Sequence, residues 1–315
     1  MYKSQFTQAL LLGILAALFF SVTFILNQVM NVAGSYWLWN GTLRYLWMLP
    51  LLLLLLMIQR QPIKPIYRVI KSNLGAWILW SNLGFVGFYL PLVFAADYLP
   101  GWLVSSIWQL TIIFGVLTSP LTKIPQMIDG KPHLVRAKIP LVSLPWLVII
   151  AIGVEFTVVG EHGHVRPWEL TISLLALTFA AIAYPLGNRK IMPHAQTLTG
   201  VQRVFAMTLC AYPTFLMLSL IALLQVGLPS AETLLNTFFV GLSSGVIATV
   251  LFYKSTSLVA HDMRLLAQIE ATQALEVVFS VILSFIFLGT TFSNSWQILG
   301  LIILIFGVIM VNLRR

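Results

Sequence analysis

Long hydrophobic stretches alternate with short polar connections along almost the whole chain. An α-helix needs about 20 mostly apolar residues to cross the hydrocarbon core of a bilayer. Only the connection over residues 120–140 is long, and no soluble domain is evident. The pattern predicts an all-α polytopic membrane protein with ten transmembrane helices. The predicted spans are 8–30, 36–58, 74–96, 99–119, 141–160, 169–187, 200–227, 234–254, 264–288 and 294–312.

The charges support this class and predict an orientation. Hydrophobic residues make up 59% of the chain and charged residues only 9%, whereas soluble domains average about 25% charged residues. If the N-terminus is cytoplasmic, all of the 18 basic residues except Arg44, Arg166 and Arg203 fall in cytoplasmic segments. This distribution follows the positive-inside rule. We therefore expect a multi-pass protein of the cytoplasmic membrane with both termini inside. The net charge of +9 is then explained by membrane topology and by contact with anionic lipid headgroups, so it does not indicate nucleic-acid binding.

Short matches recur in the same order at offsets near 160 residues. Because each copy holds five spans, an odd number, the second copy must be inverted in the membrane. The sequence thus predicts a first five-helix repeat over residues 1–160 and a second over residues 161–315. Inverted repeats around a midplane site are typical of secondary transporters. The matched pairs include Arg44 and Arg203, Tyr89 and Tyr253, and Gln109 and Gln273.

Span 9 carries polar residues that an apolar environment would disfavour. Glu270, Gln273 and Glu276 share one face of the predicted helix. Ionised carboxylates at membrane depth face a partner or a watery cavity. Glu276 is either a functional group, which couples transport to protons or pairs with a cationic substrate, or a protonated glutamate that is hydrogen-bonded to a neighbouring helix. Glu270 is either a cytoplasmic gate or, as we favour, an ion-pair partner of a nearby arginine.

Other polar residues within spans are candidates for the wall of the cavity. They would line a substrate pocket or form interhelical hydrogen bonds, which are common in membrane proteins. Arg44 and Arg203 are candidate gate contacts or structural charges. His162 and His164 in a short loop make a poor metal site, so no metal and no cofactor are expected. The wall candidates are Gln109, Trp108, Tyr89, Asn27 and Gln28, in addition to Gln273.

Three sequence motifs identify a family. They are Gly-Ser-Tyr-Trp-Leu-Trp at 34–39, Phe-Ala-Ala-Asp-Tyr-Leu at 94–99 and Leu-Glu-Val-Val-Phe at 275–279. With them the chain resembles the ten-span, EamA-like group of the drug/metabolite transporter superfamily, and within it the multidrug-resistance efflux transporter (EmrE-type) family. The resemblance implies helices around a central cavity that opens alternately to each side. Span 1 lacks the glutamate that carries drug and proton in the small four-helix relatives, so that role is not transferred by residue.

These observations predict a secondary transporter that exports a small organic molecule, drug-like or a metabolite, with a cationic substrate as one option. The chain has no Gly-x-x-x-x-Gly-Lys-Ser/Thr motif for nucleotide binding. Transport must therefore be driven by an ion gradient, for which protons are the natural choice, or proceed as facilitated diffusion. We expect no enzyme, because no catalytic serine or zinc motif appears. A lipid or lipid-linked carrier flippase and a non-transporting membrane sensor are the alternatives. The sequence leaves the coupling ion, the substrate charge and the oligomeric state open.

Overall fold

Helices dominate the computed structural model, which describes residues 2–121, 123–128, 131–136, 139–161, 165–259, 263–292 and 294–313. Ten helices, here numbered α1 to α10, correspond in order to the ten predicted spans, with bounds that differ by a few residues. They are α1 Tyr2–Val32, α2 Trp37–Ile58, α3 Leu74–Ala96, α4 Gly101–Leu117, α5 Leu144–Gly160, α6 Pro167–Ile191, α7 Gly200–Val226, α8 Ala231–Leu258, α9 over 263–288 and α10 Ser295–Leu313.

The ten-helix membrane fold predicted from the sequence is confirmed. Within the described residues, nine helices are long and apolar enough to cross a membrane, and α4 is a shorter apolar helix. The connection between α2 and α3 contains a short helix, Lys64–Ser72. The long connection after α4 forms an antiparallel hairpin of β1, Lys123–Ile128, and β2, Lys131–Arg136. The sequence analysis did not predict this hairpin.

Helices α5 and α10 pack together over much of their length, and glycines bring them close. A Cβ atom added at Gly153 would lie 2.5 Å from the backbone nitrogen of Leu304. One added at Gly300 would lie 2.6 Å from the backbone nitrogen of Thr157. Small residues allow such close approach, which favours helix association in lipid.

Successive helices run in opposite directions, so their ends form two groups. At one end, Thr199 at the start of α7 donates a 2.6 Å hydrogen bond to Gln61, just after α2. At the other end, Tyr36 before α2 donates a 2.7 Å hydrogen bond to Gln225 near the end of α7. The first end carries the basic connections, and the positive-inside rule predicts that it faces the cytoplasm.

Four of the helices are interrupted near the middle of the bundle. Helix α3 contains a π-helical segment, Asn82–Val86, and α8 contains another, Gly241–Ala248. Helix α4 breaks at Gln109, and α9 breaks at a 3-10 turn, Thr272–Ala274. Both kinds of interruption fall at corresponding places in the two halves of the chain. The division into repeats at residues 160 and 161 stays a prediction, which this pairing favours.

Candidate functional site

Two opposite charges lie buried in the interior of the bundle without an ion-pair partner. Arg44 of α2 is 6% exposed and Glu276 of α9 is 9% exposed. The two are close enough for their charges to interact. No salt bridge within 4.0 Å joins these two described side chains, however. Arg44 Nε has no hydrogen-bond acceptor.

Tyr184 of α6 lies amid charged and phenolic side chains that come from other helices. It is within electrostatic range of Arg44, Arg203, Tyr253 and Glu276. Despite this interior position, 36% of its surface is accessible. We call Arg44, Tyr45, Tyr89, Tyr184 and Glu276 the central cluster.

Aromatic rings hold the arginine of the central cluster. The guanidinium carbon of Arg44 lies 4.1 Å from the ring centroid of Tyr89 and 5.5 Å from that of Tyr45. Tyr45 in turn stacks on Phe215 of α7, with ring centroids 4.3 Å apart. A cation over the face of an aromatic ring is stabilised by the ring quadrupole. These rings fix Arg44 in place while leaving its hydrogen-bonding groups available.

A second group of rings packs around Tyr184, which is within electrostatic range of Glu276. The ring centroids of Phe88 and Trp108 are 4.7 Å apart, and those of Trp108 and Tyr184 are 5.4 Å apart. Phe88 also contacts Tyr184, with centroids 4.8 Å apart. Mainly hydrophobic walls with a few placed polar groups are typical of small-molecule sites. We call Phe88, Trp108 and Tyr184 the aromatic wall.

The predicted wall residues Asn27, Gln28 and Gln109 have different surroundings. The Tyr89 hydroxyl lies 3.4 Å from both amide atoms of the buried Asn27, which joins α1 to the central cluster. Gln28 instead accepts a 2.7 Å hydrogen bond from the Gly101 nitrogen at the start of α4. Gln109 is buried at the break in α4 and donates to the Ser105 carbonyl at 3.4 Å. The structure thus gives Gln28 a helix-end contact.

The predicted polar face of α9 is divided by its 3-10 turn. Gln273 lies in that turn, and its Nε2 is buried without a hydrogen-bond partner. Glu270 is half-buried, one turn before Gln273. Arg203 is half-buried as well and donates a 2.6 Å hydrogen bond to the Tyr253 hydroxyl. Among these residues, Arg203 is within electrostatic range of Tyr184.

Tyr184 and Phe88 were missed by the sequence analysis. A tyrosine or phenylalanine in a membrane helix is common, and nothing in the pattern tells which face of α6 is turned inward. His162 and His164 of the rejected metal site lie outside the described residues.

A cavity of about 500 Å³ opens at the end of the bundle opposite the basic connections. It is bordered by Asn31, which follows Asn27 by four residues, about 6 Å along α1. Asp97 and Glu232 also border it. Burial raises the pKa of Asp97 from 3.8 to about 7. This cavity therefore lies close to the central cluster but is lined by a separate set of side chains.

An apolar ten-helix bundle with charged side chains buried at its centre is the architecture of a membrane transporter. A family model described as "Putative multidrug resistance efflux transporter" (EmrE) matches residues 7–315. The chain belongs to this efflux transporter family, which confirms the resemblance seen in its sequence.

Similar proteins support the family but name no substrate. "Uncharacterized protein YjlA" of Bacillus subtilis is 42% identical over 304 residues, which cover 96% of this chain and 94% of that protein. "Uncharacterized 42.1 kDa protein in intracellular alkaline protease 3'region" of Shouchella clausii is 40% identical over 257 residues, which cover 81% of this chain and 66% of that protein. One solved crystal structure, described only as a protein, covers 96% of this chain and 95% of its own, with a TM-score of 0.60 and 16% identity. That likeness shows the fold alone.

Proposed function

We propose that the protein is a secondary transporter that exports a small organic molecule across the cytoplasmic membrane by alternating access. The central cluster is its substrate site, and Glu276 is the group at which substrate and proton compete. The observation that carries this proposal is the burial of Glu276 with neither a salt bridge nor a hydrogen bond among the described residues.

The energetic cost of that burial supports a transport role. A charge placed inside a membrane protein is costly, by about 2.5–3.5 kcal/mol at a helix centre on insertion scales. A glutamate kept only for structure would normally find a hydrogen-bond donor. A proton or a bound substrate would each relieve the cost at Glu276, and alternation between the two couples their movements.

The helix interruptions support alternating access. The break at Gln109 in α4 comes one residue after Trp108 of the aromatic wall, and the break at Thr272–Ala274 in α9 ends two residues before Glu276 of the central cluster. Broken helices at midplane sites are a recurring feature of secondary transporters. In this protein they would let each half of a helix tilt separately as the site opens to either side.

Export from cells tests the proposal. We would compare metabolites and dyes released by cells that express the wild type, Glu276→Gln, Glu155→Gln or an empty vector. Glu155 is a matched control because it is also a glutamate within a span, but it is exposed on α5. We expect export of at least one compound to be lost in Glu276→Gln and kept in Glu155→Gln. Equal export by all three proteins would show that Glu276 has no part in the mechanism. Export by none of them would contradict the proposed transport function.

A further inference from the structure

The central cluster places both signs of charge close together in the interior of the bundle. Arg44 and Glu276 are each at least nine-tenths buried, they interact electrostatically, and their atoms stay beyond the 4.0 Å of a salt bridge. Arg44 Nε has no hydrogen-bond acceptor, and no hydrogen bond from a described residue to the Glu276 carboxylate is seen. Both charges are therefore available to a ligand.

A ligand with one charge would fit this arrangement poorly. A ligand with only a positive charge would be attracted by Glu276 but repelled by Arg44, because like charges repel each other strongly away from water. A plain anion would meet the reverse situation. A molecule that carries both charges would satisfy the two side chains at once, with charge-assisted hydrogen bonds at each end.

We propose that the substrate is a zwitterion with an apolar body. Its anionic group binds Arg44, its cationic group binds Glu276, and its body lies against the aromatic wall. This inference rests on the proposed transport function and names the substrate class for the same site.

The surroundings of the two charges favour this class. Arg44 lies 4.1 Å from the ring centroid of Tyr89, so its planar edge, which binds carboxylates in a bidentate manner, remains unoccupied. Phe88 and Trp108 provide ring surface next to Tyr184, and Tyr184 itself lies within range of both charges. The apolar wall and the charge pair thus border the same place from different helices.

Matched ligands that differ only in charge test the substrate class. We would measure binding to the purified wild type, by ligand-induced thermal stabilisation, for two series. The first is phenylalanine, phenethylamine and 3-phenylpropionate, and the second is tryptophan, tryptamine and indole-3-propionate. We expect at least one zwitterion to bind about tenfold or more tightly than its matched cation and anion, because each loses one charge-assisted hydrogen bond. A cation or anion that binds as tightly as its zwitterion, or the absence of binding by both zwitterions, would overturn the proposal.

Two variants assign the charges. Arg44→Gln should abolish the preference for the zwitterion over the cation, and Glu276→Gln should abolish the preference over the anion. If either variant fails to fold, the wild-type series still decides. Failure of this proposal is distinct from failure of the transport function, because Glu276-dependent export of a cation would keep the function and exclude the zwitterion.

Discussion

The contact between α6 and α3 predicts a sharp difference between two glycines that face each other. A Cβ atom added at Gly187 would lie 2.5 Å from both the Cα and the nitrogen of Gly84. Carbon atoms in contact are normally about 3.5–4.0 Å apart, so Gly187→Ala must push the helices about 1 Å apart. A Cβ atom added at Gly84 would instead meet its nearest neighbours at 3.4 Å, which is ordinary contact.

Overpacking of this kind costs about 1–3 kcal/mol. We therefore expect Gly187→Ala to lower the melting temperature of the purified protein by several degrees. Because Tyr184 lies three residues before Gly187 and contacts Phe88 of α3, export should fall as well. The assay is thermal unfolding in detergent, monitored by size-exclusion fluorescence, followed by the export comparison.

Two alanine variants serve as controls for Gly187→Ala. Gly84→Ala adds the same methyl group at the other side of the same contact, and a Cβ atom at Gly75 has no neighbour within 4 Å. Both variants should have melting temperatures close to that of the wild type. If Gly187→Ala melts with them, the reasoning from helix proximity is refuted.

Three further predictions follow from other parts of the molecule. Burial raises the pKa of Asp97 to about 7, so the folded state holds a proton that the unfolded state has lost. This contribution to stability is full below pH 3.8, declines as the pH rises and is gone above about pH 7. The melting temperature of the wild type should therefore fall between pH 4 and 8, and Asp97→Asn should reduce that fall. Tyr184→Phe keeps the ring but removes the hydroxyl, and we expect export to fall with an unchanged melting temperature; an unchanged export rate would exclude a role for the hydroxyl. Gly153→Leu drives a side chain into the backbone of Leu304, so little folded protein should be recovered, and wild-type recovery would contradict the close packing of α5 on α10.

Much of the fold could be predicted because the membrane restricts it. Each span must satisfy its backbone hydrogen bonds internally, so length and hydropathy alone placed all ten helices within a few residues. The hairpin in the 120–140 connection could not be found in this way, because span length and hydropathy do not report on turns; its signal in the sequence is the Asp129-Gly130 pair between two short runs.

The site could be predicted only in part. The rarity of charge inside spans drew attention to Arg44 and Glu276, and both lie in the central cluster. Their proximity could not be predicted, because the sequence does not tell how α2 and α9 are rotated about their axes. For the same reason Tyr184 was missed, and the hydrogen bond that Gln28 accepts from the start of α4 was not foreseen; its place in the cavity wall stays a prediction.

The most direct test of the central role of Glu276 is transport by purified protein in liposomes under an imposed pH gradient, with a compound that the export comparison identifies. We predict that the gradient drives the wild type to accumulate the compound. Glu276→Gln should neither accumulate the compound nor respond to the gradient, because its neutral amide resembles the protonated glutamate, which in this scheme has released the substrate. Accumulation by Glu276→Gln equal to that of the wild type would contradict the proposed competition of substrate and proton at Glu276.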